Sequence, residues 1–177
     1  MTSLRLLTPL ATAAILLGLT AGNAAAQHPF ELVTGKAFDS ALPTNFYLEG
    51  NAIPTAKRNA VMVHTPSGAR ALFSLLDTTG YASNVIEKYV GMLITEGDLS
   101  ICGQKITVGS YGFGWVESPR GVDQPGKFSL YDQAGGKLAE CATPRDADLK
   151  GPRPLQVVVK ADGTASLYHG RNSVALQ

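Results

Sequence analysis

The stretch GSYGFGWVE, residues 109–117, decides how the rest of the chain is read. Tyr111, Phe113 and Trp115 fall on alternate positions, with Gly112 and Gly114 between them. In a β-strand every second side chain points to the same face. One face of this segment therefore carries the rings and the other is nearly bare. Such a row is either an exposed platform for stacking sugars or one half of a sandwich core. The chain has one Trp, six Phe and six Tyr. A domain of this size needs most of its large residues inside, which favours the core. The glycine face then calls for a filler, because glycine within a strand marks close approach by something else. The segment around Phe46 and Tyr47 is the simplest filler; a partner or a small molecule is the other.

Working outward, short apolar runs alternate with turn residues. AVMVHT (60–65) and ARALFSLLD (69–77) flank Pro-Ser-Gly and read as a hairpin. KYVGMLIT (88–95), LSICG (99–103) and KITVG (105–109) precede the aromatic strand. KFSLYD (127–132) and KLAEC (137–141) flank a glycine turn. PLQVVVK (154–160) and TASLYHG (164–170) flank Ala-Asp-Gly, a strong hairpin signal, and SVALQ (173–177) adds a last edge strand. ASNVIEKY (82–89) is the helical candidate, with Ser83 or Asn84 as its cap. About nine or ten short strands predict an all-β antiparallel sandwich, with a β-barrel as the alternative. Residues 28–57 are expected to wrap one end of the sheet.

The segment ICGQKITVGSYGFGW resembles a hairpin of a group of secreted bacterial β-domains of unknown function, matched at Gly103, Lys105, Gly109 and Tyr111. The resemblance implies a fold type and carries no site residue.

Arg5 is the only charge in the first 26 residues; an apolar run follows, then Ala24, Ala25 and Ala26. This is the pattern of a secretory signal. It predicts cleavage after Ala26, a single domain over residues 27–177, and a secreted or periplasmic location. No cysteine stands near the cleavage point to carry a lipid, so no stable membrane anchor is expected after signal cleavage. Net charge is +1 before removal of Arg5, and the longest basic run is Lys57-Arg58. Neither fits a nucleic-acid partner. Cys102 and Cys141 are the only two cysteines, and in an exported chain they predict a buried disulfide.

The chemical inventory is sparse. GxSxG, HExxH and a zinc-type Cys-His spacing are all missing from the sequence. His28, His64 and His169 are the three histidines; the last two end strands and read as separate groups rather than a metal or proton-exchange pair. Asp77, Glu87, Glu96, Asp98 and Glu117 fall near turns, where sequence selects no glycosidase pair. Asp146 and Asp148 read as a solvated turn rather than a calcium loop. Arg171, in HGRN, reads as a structural cap or internal ion pair ahead of an anion site. No catalytic residue, cofactor or metal is expected. Tyr111, Trp115, His169 and Arg171 are the candidate ligand-binding residues. The expected function is an exported, non-catalytic domain that binds a small molecule, a glycan or an envelope protein. The alternative is a small secreted enzyme of hydrolase type with a loop-borne site.

Overall fold

The computed structural model describes residues 28–117 and 124–177. The expected signal segment and its cleavage point at Gln27 lie outside the described residues. Among those described, the order is β1 (Glu31–Val33), α1 (Lys36–Ala41), β2 (Asn45–Leu48), β3 (Asn51–His64), β4 (Arg70–Leu76), α2 (Ser83–Lys88), β5 (Gly91–Thr95), β6 (Leu99–Ile101), β7 (Gln104–Ile106), β8 (Gly109–Val116), β9 (Gly126–Tyr131), β10 (Lys137–Thr143), β11 (Gln156–Val159), β12 (Ala165–His169) and β13 (Asn172–Leu176). The thirteen strands exceed the nine or ten expected because short strands such as β1 and β2 carry no clear alternation.

All pairings are antiparallel. The larger sheet runs β1-β3-β4-β5-β8-β9-β10, with β2 beside the first part of β3; the smaller runs β11-β12-β13-β6-β7. The sheets pack face to face as a sandwich and do not close into a barrel. β13 is an interior strand between β12 and β6, not the edge that its terminal place in the sequence implied.

The aromatic strand sits as its spacing requires. Phe113 is fully buried and Trp115 is 7% exposed. Tyr111 is half-buried against the same core, and its hydroxyl donates to the Thr107 carbonyl at 2.9 Å. Phe113 stacks on Phe128 at 5.6 Å, and Trp115 meets Phe128 edge-on at 5.2 Å. Opposite Phe113 in the ladder stands Gly91, where a Cβ would lie 2.2 Å from the ring. The phenyl group covers the bare backbone, as aromatic rings do across a strand glycine.

The glycine face is filled by residues beyond those expected. A Cβ on Gly112 would meet the Tyr89 ring at 2.6 Å and Leu48 at 2.9 Å; one on Gly114 would meet the Lys88 carbonyl oxygen at 2.4 Å. Phe46 is buried in this outer cluster with Leu48, Met62, Val85 and Tyr89, whereas Tyr47 is exposed. Residues 36–54 thus cover the outer face of the larger sheet rather than wrapping one end. α2 forms where expected, but Ala82 is its N-cap and no side chain caps it.

Two hairpins turn on a non-glycine residue with positive φ. Glu49-Gly50 has φ 48° and 77°, and Cys102-Gly103 has φ 56° and 70°, the mirror-image turn whose twist suits paired strands. Each strained side chain is anchored. Glu49 accepts from Lys88 and, at 2.6 Å, from the Tyr89 hydroxyl. Cys102 is bonded to Cys141, with Cα atoms 5.4 Å apart. Both cysteines are half-buried, a correction to the expected burial: the bond lies at the rim, joining the β6–β7 turn of one sheet to the edge strand β10 of the other. Beyond β10 the chain crosses over, with Arg145 bridging Asn172 and Ser173 donating to the Pro144 carbonyl. One seam of the sandwich is therefore sewn shut. At the other, β11 lies against β1 and β3, and the Phe30 amide donates to the Gly163 carbonyl of the β11–β12 turn at 3.4 Å. No helix among the described residues is long and apolar enough to cross a membrane.

Candidate functional site

The expected binding residues divide. Trp115 is in the core, so it offers no stacking platform. Its Nε1 is buried without a hydrogen-bond partner among the described residues. His169 lies against it, ring centroids 5.7 Å apart. His169 Nδ1 is 3.2 Å from Glu117 Oε1. Burial holds the His169 pKa below its ordinary value, and the Glu117 carboxylate only partly opposes this. Tyr111 packs against the core from β8, an interior strand between β5 and β9. Arg171 is a structural cap: its Nη1 lies 3.2, 2.7 and 3.0 Å from the carbonyls of Asp146, Ala147 and Leu149. Oxygens that a calcium ion would use are thereby held by a guanidinium. Asp146 itself accepts from Tyr168 and from the Asp148 amide, each at 3.0 Å. No group of three or more metal-type side chains gathers among the described residues. The structure does not bring His64 and His169 together. His64 faces the Gly68 carbonyl in the β3–β4 turn of the larger sheet, while His169 ends β12 in the smaller.

A second polar cluster joins the β2–β3 turn, α2 and the β9–β10 turn. Lys88 Nζ donates to Glu49 and, at 2.7 Å, to the Gly135 carbonyl, and it lies over the Tyr89 and Tyr131 rings. The Lys88 hydrogen bond lowers the Glu49 pKa; burial, first of all, raises that of Tyr89. Every group has its partner within the cluster, which makes it a latch.

Unbalanced charge lies in a groove beside this second seam instead. Along β3, four residues, Ala56 to Asn59, stand where β4 supplies only Leu75, since Thr55 pairs with Leu76 and Ala60 with Ser74. Such a bulge bends the strand and re-aims its side chains. α1 bridges it through Lys57 and Asp39 at 2.8 Å. Arg58 and Asn59 thus enter a groove of about 660 Å³ between β1, α1, the bulge and β11. Arg153 lies at its other wall, held between Pro152 and Pro154, which favour extended backbone. Both arginines are exposed and neither has a carboxylate partner among the described residues. The groove contains no Asp or Glu; its floor is Leu155, Val157 and Val61. Gln156 Nε2, also in its wall, is a buried donor without a partner among the described residues. A larger groove of about 730 Å³ lies at the end of the sandwich. Its acids are engaged: Asp98 with Lys105 at 2.7 Å, and Asp162 with Thr164.

In the sequence Lys57-Arg58 is only a basic dipeptide. The bulge that gives Arg58 its place is a relation between two strands, invisible in either one. Pro152-Arg153-Pro154 was the available hint of a fixed, presented arginine. No protein-family model matches the chain, and no curated protein or solved structure matches it at a significant level.

Proposed function

We propose that the chain is a secreted or periplasmic, non-catalytic binding domain that takes an anionic ligand with an apolar body in the groove between β1, α1, the β3 bulge and the start of β11. The observation that carries this is the pairing of Arg58 and Arg153 across an apolar floor with no acid in the groove. Guanidinium groups beside apolar surface hold carboxylates, sulfonates and phosphates by charge-assisted hydrogen bonds. A disulfide persists in oxidising compartments, which agrees with the export expected from residues 1–26. Anilinonaphthalene sulfonate supplies both chemistries in one fluorescent probe. Native protein should enhance its emission saturably, and the Arg58→Ala, Arg153→Ala double variant should weaken binding at least about tenfold. Equal binding by the two proteins, both folded by circular dichroism, refutes the reading.

A further inference from the structure

β5 and β8 are neighbours in the larger sheet, yet the chain between them leaves it. Residues 99–106 cross to the smaller sheet, form the β6–β7 hairpin at its end, and return. The register joins this hairpin to β13 through Ile101 and Leu176, flanked by reciprocal backbone bonds of Ser100 and Gln177 at 2.6 and 3.1 Å. β7 is the outer strand. The Asp98–Lys105 ion pair ties the two arms to each other rather than to the rest of the fold. Leu99, Ile101 and Ile106 point from the hairpin into the core, where all three are buried. The hairpin is thus a flap over the core, with both roots on the larger sheet.

The tip of the flap is the Cys102-Gly103 turn, and there the disulfide holds it to β10. Cys102 takes φ 56°, a conformation uncommon for any residue but glycine. Both cysteines are half-buried, and both line a groove of about 490 Å³. Gly103, Ala142, Ser173 and Ala175 are among its walls, which include no charged side chain and no aromatic ring. Such walls neither repel an incoming thiolate by like charge nor cover the bond with a bulky group. Disulfides that solvent reaches are the labile, regulatory ones.

We infer that the Cys102–Cys141 bond is a thiol-exchange site of the folded protein, and that its cleavage by a dithiol unlocks residues 99–106 as a flap. One thiolate of the dithiol attacks a cysteine Sγ; the S–S bond breaks, and its electron pair leaves on the other cysteine as a thiolate. The second thiolate of the dithiol then attacks the mixed disulfide and displaces the remaining cysteine. Both protein cysteines end reduced, and the dithiol ends as its own disulfide. The tip has then lost its covalent hold, and Cys102 is free to leave its positive φ. A cross-link that acted on the unfolded chain alone would weaken both sheets alike when lost. A clasp on one element loosens that element first.

The test uses the oxidised protein and dithiothreitol. Bond loss in native buffer, followed by alkylation and mass spectrometry, should run within about a hundredfold of its rate in strong urea, far above the 10³-fold or greater slowing expected of a bond reached only by unfolding. It should also change little with low urea. Reduction slowed by the whole folding equilibrium, and rising steeply with low urea, is reduction through unfolding and overturns the exchange site. Hydrogen exchange then reads the flap. On reduction, protection of the amides of residues 99–106 relative to those of β4 should fall at least about tenfold, and their exchange should become insensitive to low urea, the mark of local opening. A fall shared equally by residues 99–106 and β4, or unfolding on reduction, overturns the flap. The Cys102→Ser, Cys141→Ser double variant should show the same local pattern without dithiothreitol; protection of residues 99–106 relative to β4 equal to that in the oxidised protein overturns the flap as well.

Discussion

Replacing Trp115 tests whether the aromatic row is core. A tryptophan buries about 150–250 Å², and this one keeps only 7% of its surface in contact with solvent. At about 25 cal/mol per Å² its burial is worth roughly 3.5–6 kcal/mol. Truncation also leaves a void beside Phe128 and His169, so Trp115→Ala should cost about 3–5 kcal/mol. In a domain of this size each kcal/mol lowers Tm by about 2–4 °C. Trp115→Phe is the informative companion. It loses part of the ring but also removes the Nε1–H, a buried donor without a partner among the described residues. Such a donor costs about 1–3 kcal/mol, so the phenylalanine variant should stay within about 1.5 kcal/mol of wild type, by the same principle. Urea denaturation followed by far-ultraviolet circular dichroism gives both values, since the variants have no tryptophan to report. Wild-type emission should be blue-shifted and poorly quenched by iodide. A Trp115→Ala cost below about 1 kcal/mol, far under the core range, or ready quenching, refutes the argument.

Reduction should open the sewn seam. A bond spanning 39 residues restricts the unfolded chain by about 4 kcal/mol, so dithiothreitol should lower Tm by roughly 8–16 °C by that scale. For His169, burial holds the folded-state pKa below its ordinary value of 6.5. The unfolded chain therefore binds a proton first, and the stability contribution is full above about pH 6.5 and lost as pH falls below it. His169→Gln should flatten the change in urea midpoint between neutral and mildly acidic pH; an unchanged slope counts against a buried neutral imidazole. Arg171→Ala should cost about 1.5–3 kcal/mol, from charged hydrogen bonds lost at the 146–149 carbonyls. It should also speed proteolysis at that loop, and unaltered cleavage would show that the cap is dispensable.

Much of the sandwich was legible because its signals are local. Alternation at residues 111–115 placed two rings inward, and the turns around Gly68 and Gly163 placed two hairpins, each glycine having φ +82°. Two cysteines left only one internal pairing. α1 and β2 were not legible, since KAFDSA and NFYL are too short for a period to emerge. Their structure comes from packing Phe46 and Leu48 over the glycine face. The arginine-lined groove was least legible. Arg58 and Arg153 are 95 positions apart in the sequence. The four sequence candidates, Tyr111, Trp115, His169 and Arg171, were chosen for residue type. Three of them serve the interior or its rim, and Arg171 holds a loop.

The smaller sheet takes its strands from two distant parts of the chain. Residues 99–106 supply β6 and β7; residues 156–176 supply β11, β12 and β13. The strands between them, β8 to β10, belong to the other sheet. A chain emerging N-terminus first can thus complete the larger sheet while its inner face is still bare, with Phe113, Trp115 and Phe128 turned to water. The hairpin of residues 99–106 waits as a fragment until its neighbour β13 arrives. Pairings so far apart in sequence form slowly, and the apolar surface bared meanwhile favours association between chains. The hazard of misassembly is therefore concentrated in the interval before the last twenty or so residues are delivered, and a chain cut short there is a strong candidate for capture by a chaperone or a protease.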